Sequence, residues 1–219
     1  MIKSKLVVLS LCCLLPMQQA LGESFESVTM EYKPFYQRLK VLYKGNYADS
    51  DVGFYFYKVN AKDQPCDITG GRIFNKNYEL PLVYTAKGRL YIPYEKQLYS
   101  DKAFVTVESE SACELSISLE LKRPQTDYRS QDLKNKAEQL YALMRDFAGV
   151  GSILLPNQQG ITVDFEVPSS VSYLSASGAE IEQGEVSEQQ LISLKQLSEM
   201  GSLHFSSQPS RISLWLATK

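Results

Sequence analysis

The sequence predicts an α+β fold: an N-terminal helix and a small antiparallel β-sheet or sandwich with one disulfide, followed by an α-β-β-α-β-β half. Three observations support this prediction. Short tyrosine-rich runs with strand-like alternation fill residues 51–121, and the clearest helical pattern follows at residues 130–149. Only two cysteines, Cys66 and Cys113, lie beyond the apolar N-terminus.

The first 22 residues have the pattern of a secretory signal peptide. Lys3 and Lys5 precede an apolar run at 6–15 that is too short to cross a bilayer, and small residues at Ala20 and Gly22 suit a cleavage site. We therefore expect cleavage before Glu23 and a soluble exported protein with no membrane insertion after cleavage. An uncleaved N-terminal anchor is the alternative.

The charge of the mature chain is modest. Without Lys3 and Lys5, the 23 basic residues become 21 against 25 acidic ones, which is a net charge of −4. No block of like charge stands out, so we expect neither nucleic acid nor an anionic membrane as a partner.

The first element after the leader is a predicted helix within residues 27–45. Pro34 suits a first helical turn and Gly45 suits the end of a helix. Phe35, Leu39 and Leu42 lie on one side, so this amphipathic helix is expected to cover one face of the sheet that follows.

Strands are predicted through the whole central stretch. The run from Asp51 to Val59 is apolar on both sides, which predicts a strand covered on both faces. The run 113–121 alternates strictly, so Ile117 and its apolar neighbours are expected to face a core while Glu120 and the other polar residues face water. Shorter candidates lie at 66–74, 80–84, 89–94 and 103–108.

The two remaining cysteines predict a disulfide. Cys66 and Cys113 are an even pair in an exported chain, and neither belongs to a Cys-x-x-Cys redox motif. Closing a loop of this length stabilises the fold by ~4 kcal/mol in the chain-entropy model.

The second half begins with a linker at 122–130. A helix follows, with Ser130 as its N-cap and Gly149 just past its end. Strands are predicted at 161–167, 171–175, 203–205 and 211–217, and a second helix from a capping box at Ser187 and Gln190. The chain is thus divided into 1–22, 23–122 and 123–219, and whether the last two parts share one core is left open.

Five features occur together: the signal peptide, EYKPFYQRLK, GFYFYKV, the PCDI and ACEL cysteines, and PSRISLWL. Together they resemble a family of uncharacterised exported gamma-proteobacterial proteins, a domain of unknown function. The family brings no established activity and no catalytic residues. It implies a location in the bacterial envelope, in the periplasm.

Patterns that would indicate catalysis are weak. His204 is the single histidine and flanking apolar residues predict that it is structural or solvent-facing, which leaves no two-histidine metal site. No phosphate-binding glycine loop occurs, and we expect no cofactor and no metal. Carboxylates are numerous, but Glu108, Glu110 and Glu114 suit a solvated strand edge, so an enzyme has no positive support.

Tyrosine is the compositional exception, because eleven of the 14 tyrosines fall between Tyr32 and Tyr99. Either they form an aromatic platform for a ligand, or they only reflect the preference of tyrosine for half-buried strands. The predicted ligand or partner contacts are Tyr55, Tyr57, Tyr91, Tyr94 and Trp215.

The function that these observations favour is a non-enzymatic periplasmic protein that binds another envelope component, in the first place a protein. One alternative is a glycan-binding module that uses the tyrosine-rich sheet face. Another is a hydrolase built on two carboxylates that face each other in a cleft.

Overall fold

The computed structural model describes residues 26–175, 177 and 179–217, and it consists mostly of antiparallel β-sheets with a few helices. The predicted signal peptide lies outside these residues. The helices are α1 Lys33–Lys44, α2 Lys96–Ser100, α3 Ser130–Ala148, the 3-10 helix Gly149–Leu154 and α4 Leu194–Glu199. The strands are β1 Glu26–Glu31, β2 Ser50–Lys58, β3 Ala61–Pro65, β4 Ile68–Phe74, β5 Glu79–Pro81, β6 Val83–Tyr84, β7 Arg89–Tyr91, β8 Phe104–Ser109, β9 Cys113–Leu121, β10 Asp127–Arg129, β11 Gln158–Asp164, β12 Ser169–Leu174, β13 Glu180–Val186, β14 Gln189–Ser193, β15 Ser202–Phe205 and β16 Arg211–Leu216.

An eight-stranded sheet joins both halves of the sequence. Its strand order is β14-β11-β16-β9-β2-β7-β6, and β3 pairs beside β2. β2 and β9 pair along their whole length, from Ser50 opposite Leu121 to Lys58 opposite Cys113. As predicted, β2 is buried on both faces, with Phe54 at 1% and Tyr55 at 7% exposure.

Two four-stranded sheets complete the fold, with the orders β1-β8-β4-β5 and β10-β15-β12-β13. In the first sheet, Val105 and Val107 of β8 are fully buried. β1 was not predicted, yet it pairs with β8 over its full length. Its alternation of polar residues with Val28 and Met30 places the apolar side chains against the core.

Helices α1 and α3 pack on the apolar face of the eight-stranded sheet. α1 lies within the predicted range, and the Phe35 ring meets the Phe54 ring edge-on at 4.9 Å. α3 buries a stripe that includes Leu133 and Leu140. Ser130 is its first helical residue rather than its N-cap, while Gly149 ends it with a positive φ of 53°.

The second half departs from the predicted α-β-β-α-β-β order, and reads β-α-β-β-β-β-α-β-β. The expected helix from Ser187 is strand β14 followed by α4, whose capping box is formed by Ser193 and Gln196. The strand prevails because β14 pairs with β11, which buries Ile192 completely against the core. Within the described part of the chain, no helix is both long and apolar enough to cross a membrane.

The predicted disulfide is confirmed. Cys66 and Cys113 are bonded, with their Cα atoms 6.2 Å apart. Cys66 follows β3, and its backbone amide donates to the Phe56 carbonyl of β2 at 2.9 Å. The bond therefore fastens the start of β9 to the segment that borders β2 on its other side.

Candidate binding site

A network of charged side chains lies on the second face of the eight-stranded sheet. We call it the sheet-face network. Glu120, whose side chain is 3% exposed, accepts a hydrogen bond from the Tyr55 hydroxyl at 2.9 Å and pairs with Arg89 at 2.5 Å. Arg89 also pairs with Asp51 at 2.8 Å. The other members of the network are Tyr57, Asp164 and Arg211.

Arg211 closes the network from the neighbouring strands. It pairs with Asp164 at 2.7 Å, donates to the Tyr57 hydroxyl at 3.2 Å, and lies 5.0 Å from the centre of the Tyr55 ring. β16 meets β9 only at Ser213, opposite Glu120. Contact between Arg211 and Tyr57 therefore requires a strongly curled sheet.

Glu120 was predicted to face water and is instead buried, because side chains of the adjacent strands cover it. Burial raises the pKa of Glu120, and the charge of Arg89 opposes this rise. Burial and the nearby Glu120 carboxylate also raise the pKa of Tyr55. Ile117 on the same strand differs from its prediction in the opposite direction: it was expected in the core and is 38% exposed.

The hydrolase alternative gains no support from this geometry. Asp51 and Glu120 do stand opposite each other in the strand register. Both are held by Arg89, however, and Glu120 is closed to solvent. A general acid or nucleophile must reach its substrate, so we assign this pair a structural role. His204 lies elsewhere, exposed and 2.7 Å from Asp127.

The five predicted contact residues do not form one platform. Tyr55 is covered by its neighbours, and Tyr57 is half-buried with its hydroxyl bonded to Arg211. Tyr91 is 50% exposed beside Arg89, whose guanidinium carbon lies 5.3 Å from the ring centre. Trp215 is half-buried on β16.

Tyr94 belongs to a different surface, a column of four tyrosine rings that we call the tyrosine stack. The rings follow one another as Tyr43, Tyr94, Tyr36 and Tyr99, with centres 4.9, 5.0 and 4.6 Å apart and planes within 24° of parallel. Tyr43 ends the column beside the loop that follows α1, and it is 57% exposed. The stack holds this exposed ring in a fixed orientation.

Two adjoining clefts lie near this end of the tyrosine stack, where the loop after α1 meets the end of β9 and the start of α3. The larger one, the basic cleft, has a volume of about 320 Å³ and is lined by Ala48, Asp49, Leu121, Lys122, Arg123, Gln125, Tyr128 and Lys136. The smaller one, the tyrosine cleft, has a volume of about 170 Å³ and is lined by Leu42, Tyr43, Gly45, Asn46, Tyr47, Ala48, Ser50, Asp51 and Lys122. Ala48 and Lys122 belong to both.

The basic cleft has excess positive charge. Lys136 pairs with Asp49, whereas Lys122 and Arg123 are exposed and have no ion-pair partner among the described residues. Three cations thus face one carboxylate. Tyr128 lies at the wall of this cleft, and its hydroxyl oxygen accepts from the Gln125 amide at 2.7 Å. An anionic group is the natural counterpart of such a lining.

The tyrosine cleft contributes a second unsatisfied group. Ser50 is 3% exposed, and its hydroxyl has no hydrogen-bond partner within the part of the chain that the structure describes. Buried hydroxyl groups are normally paired, because an unpaired one loses its hydration without compensation. Because the Ser50 oxygen is closed to solvent, the missing hydrogen bond is a cost to the folded state and not a contact that a bound molecule reaches.

Sequence reasoning missed both clefts. The segment 122–130 was interpreted as a linker, and the Lys122-Arg123 pair within it was the only signal of excess charge. Lys136 comes from α3, and no spacing rule places it beside Lys122.

Comparison with known proteins gives a family and no activity. No curated protein and no solved structure matches the chain. Residues 24–165, well over half of the chain, match the model of a family described as "Protein of unknown function (DUF2987)". The matched range includes the helix α1, both cysteines of the disulfide and both clefts. It ends before the PSRISLWL segment. The resemblance to a domain of unknown function is thereby confirmed, and the chain belongs to the DUF2987 family.

Proposed function

We propose that this protein is a non-enzymatic binding protein of the cell envelope, exported to the periplasm, which holds an anionic ligand in the basic cleft. One observation carries the proposal: at the edge of a cavity of about 320 Å³, Lys122 and Arg123 have no counter-charge from any residue that the structure describes. Cavities that bind small molecules begin at about this volume. Filling the cleft with an anion pairs these cations and releases their solvent counter-ions.

The location rests on the predicted signal peptide, and the disulfide supports it, because structural disulfides persist in oxidising compartments. We expect cell fractionation to recover the protein with the periplasm. Mass spectrometry of the purified protein is expected to give an N-terminus at Glu23. Recovery of an intact N-terminus in the membrane fraction would instead support an uncleaved anchor.

Anion binding is tested by NMR titration of the mature protein with inorganic phosphate and with citrate. We expect amide signals of residues 121–136 to shift with both anions. The double variant Lys122→Ser with Arg123→Ser loses two cations at the cleft, which we expect to weaken binding by about tenfold. Lys76→Ser with Lys195→Ser removes the same charge from exposed positions elsewhere and serves as the control. Equal affinities for the two double variants would refute the proposal.

A second candidate function is docking of a protein partner through an apolar tip, the 3-10 helix after α3. Val150, Ile153 and Leu154 are 100%, 87% and 71% exposed there. Exposed apolar clusters of this kind mark contact sites. We expect a photo-crosslinker at Val150 to capture one reproducible protein in intact cells and a crosslinker at Lys195 to capture none. Capture that persists when Ile153→Ser is added would count against the tip.

A further inference from the structure

Tyr43 lines the tyrosine cleft, and it is 57% exposed with one ring face left uncovered by the tyrosine stack. Its other face is covered by Tyr94, with the ring centres 4.9 Å apart and the planes 18° from parallel. Because Tyr94 stacks in turn on Tyr36 of α1, the ring is braced against a helix. An immobile aromatic face binds a flat apolar surface at little cost in side-chain entropy.

The open ring and the basic residues belong to one continuous depression. Tyr43 and Lys122 both line the tyrosine cleft, and Lys122 with Ala48 also lines the basic cleft. A single ligand can therefore cover Tyr43 with one part and place a negative charge between Lys122 and Arg123 with another.

Polar groups surround the space in front of the ring. Asn46 and Lys122 line the tyrosine cleft, and both residues are exposed. The Asn46 amide supplies a donor and an acceptor, and the Lys122 ammonium supplies further donors. This combination suits a molecule with many hydroxyl groups, and a purely apolar ligand would leave the groups unsatisfied.

We infer that the ligand of the two clefts is an acidic sugar chain, an inference that rests on the proposed function. One sugar ring lies with its C–H face on Tyr43, and its hydroxyls bond to the Asn46 amide. The carboxylate or phosphate of the adjoining sugar lies in the basic cleft between Lys122 and Arg123. This site differs from the tyrosine-rich sheet face that the sequence suggested for glycan binding, because Tyr55 and Tyr57 take no part in it.

The test compares four probes by calorimetry or NMR titration of the mature protein: a uronic-acid trisaccharide, its neutral counterpart, inorganic phosphate and a thymidine trinucleotide. We expect the uronic-acid trisaccharide to bind more tightly than each of the other three. Tyr43→Ser is expected to weaken its binding by about five- to tenfold while phosphate binding is unchanged. Tyr43→Phe keeps the ring and is expected to retain the affinity.

Tyr99→Ser is the matched control, because Tyr99 ends the same tyrosine stack on the far side and lines neither cleft. Equal trisaccharide affinities for Tyr43→Ser and the wild type would overturn the inference about the sugar ligand. The proposed function would still stand in that case if phosphate binds to the basic cleft. Tighter binding of the trinucleotide or of the neutral sugar would overturn it as well. Failure of both phosphate and the acidic trisaccharide to bind would overturn the proposed function itself.

Discussion

Replacing Gly88 with alanine is expected to destabilise the fold by about 2–3 kcal/mol. Gly88 has a φ of +74°, a region that costs a residue with a Cβ about 1–2 kcal/mol. An added Cβ would lie 2.4 Å from the Phe56 carbonyl oxygen, which is fixed backbone of β2. Relief of this overlap requires a shift that weakens the hydrogen bond from the Phe56 amide to the Gly88 carbonyl (2.8 Å), at a cost of about 1 kcal/mol.

Gly149→Ala separates the two causes. Gly149 also has a positive φ, of 53°, but no atom of the described residues lies within 4 Å of its added Cβ. Its substitution therefore carries the conformational cost alone, about 1–2 kcal/mol. With a denaturant slope of about 2–3 kcal/mol per M, urea unfolding followed by circular dichroism is expected to show midpoint losses of roughly 1 M for Gly88→Ala and roughly 0.6 M for Gly149→Ala. Equal losses for the two variants would refute the steric reasoning.

Three further outcomes are expected. Reduction of the disulfide is expected to lower the free energy of unfolding by up to ~4 kcal/mol, measured by urea unfolding with and without reductant; an unchanged midpoint would contradict this. Arg89→Leu leaves buried Glu120 without its counter-charge and is expected to cost about 3–5 kcal/mol by the same measurement, against less than about 1 kcal/mol for Arg72→Leu in an exposed pair. Burial and the Asp146 carboxylate raise the pKa of Tyr47 to about 12, so its stabilising contribution is complete below about pH 10 and is lost as the pH rises through 12. In an absorbance titration of the native protein at alkaline pH, the Tyr47→Phe variant is expected to show one late-ionising tyrosine fewer than the wild type. Identical curves for the two proteins would disprove the assignment.

Strand alternation predicted which residues share a face but not what covers that face. It correctly placed Phe54 and Tyr55 on opposite, buried sides of β2. It placed Glu120 in water, because nothing in the run 113–121 reveals that Arg89 and Tyr55 from other strands close over the carboxylate. Burial of a charge depends on partners that are distant in sequence, so local periodicity alone does not predict it.

The binding clefts were beyond prediction for a related reason. Lys122 follows β9, Lys136 lies in α3 and Tyr43 lies in α1, so only the packing of three elements brings them to one depression. The helix α4 shows that a local sequence signal can also point to the wrong position. The Ser187 motif resembled a capping box, but pairing of the segment 189–193 with β11 outweighed that local signal, and the working box is formed by Ser193 and Gln196.

The position of β16 in the eight-stranded sheet has a consequence for the order of folding. Among the strands that the structure describes, β16 is the last in the sequence, yet it lies between β11 and β9 and alone joins the β14-β11 pair to the rest of that sheet. A chain that is synthesised from its N-terminus can pair β2 with β9 early. The eight-stranded sheet stays in two parts until residues 211–216 have been synthesised and can pair. Assembly is then completed after synthesis of these residues and not during it.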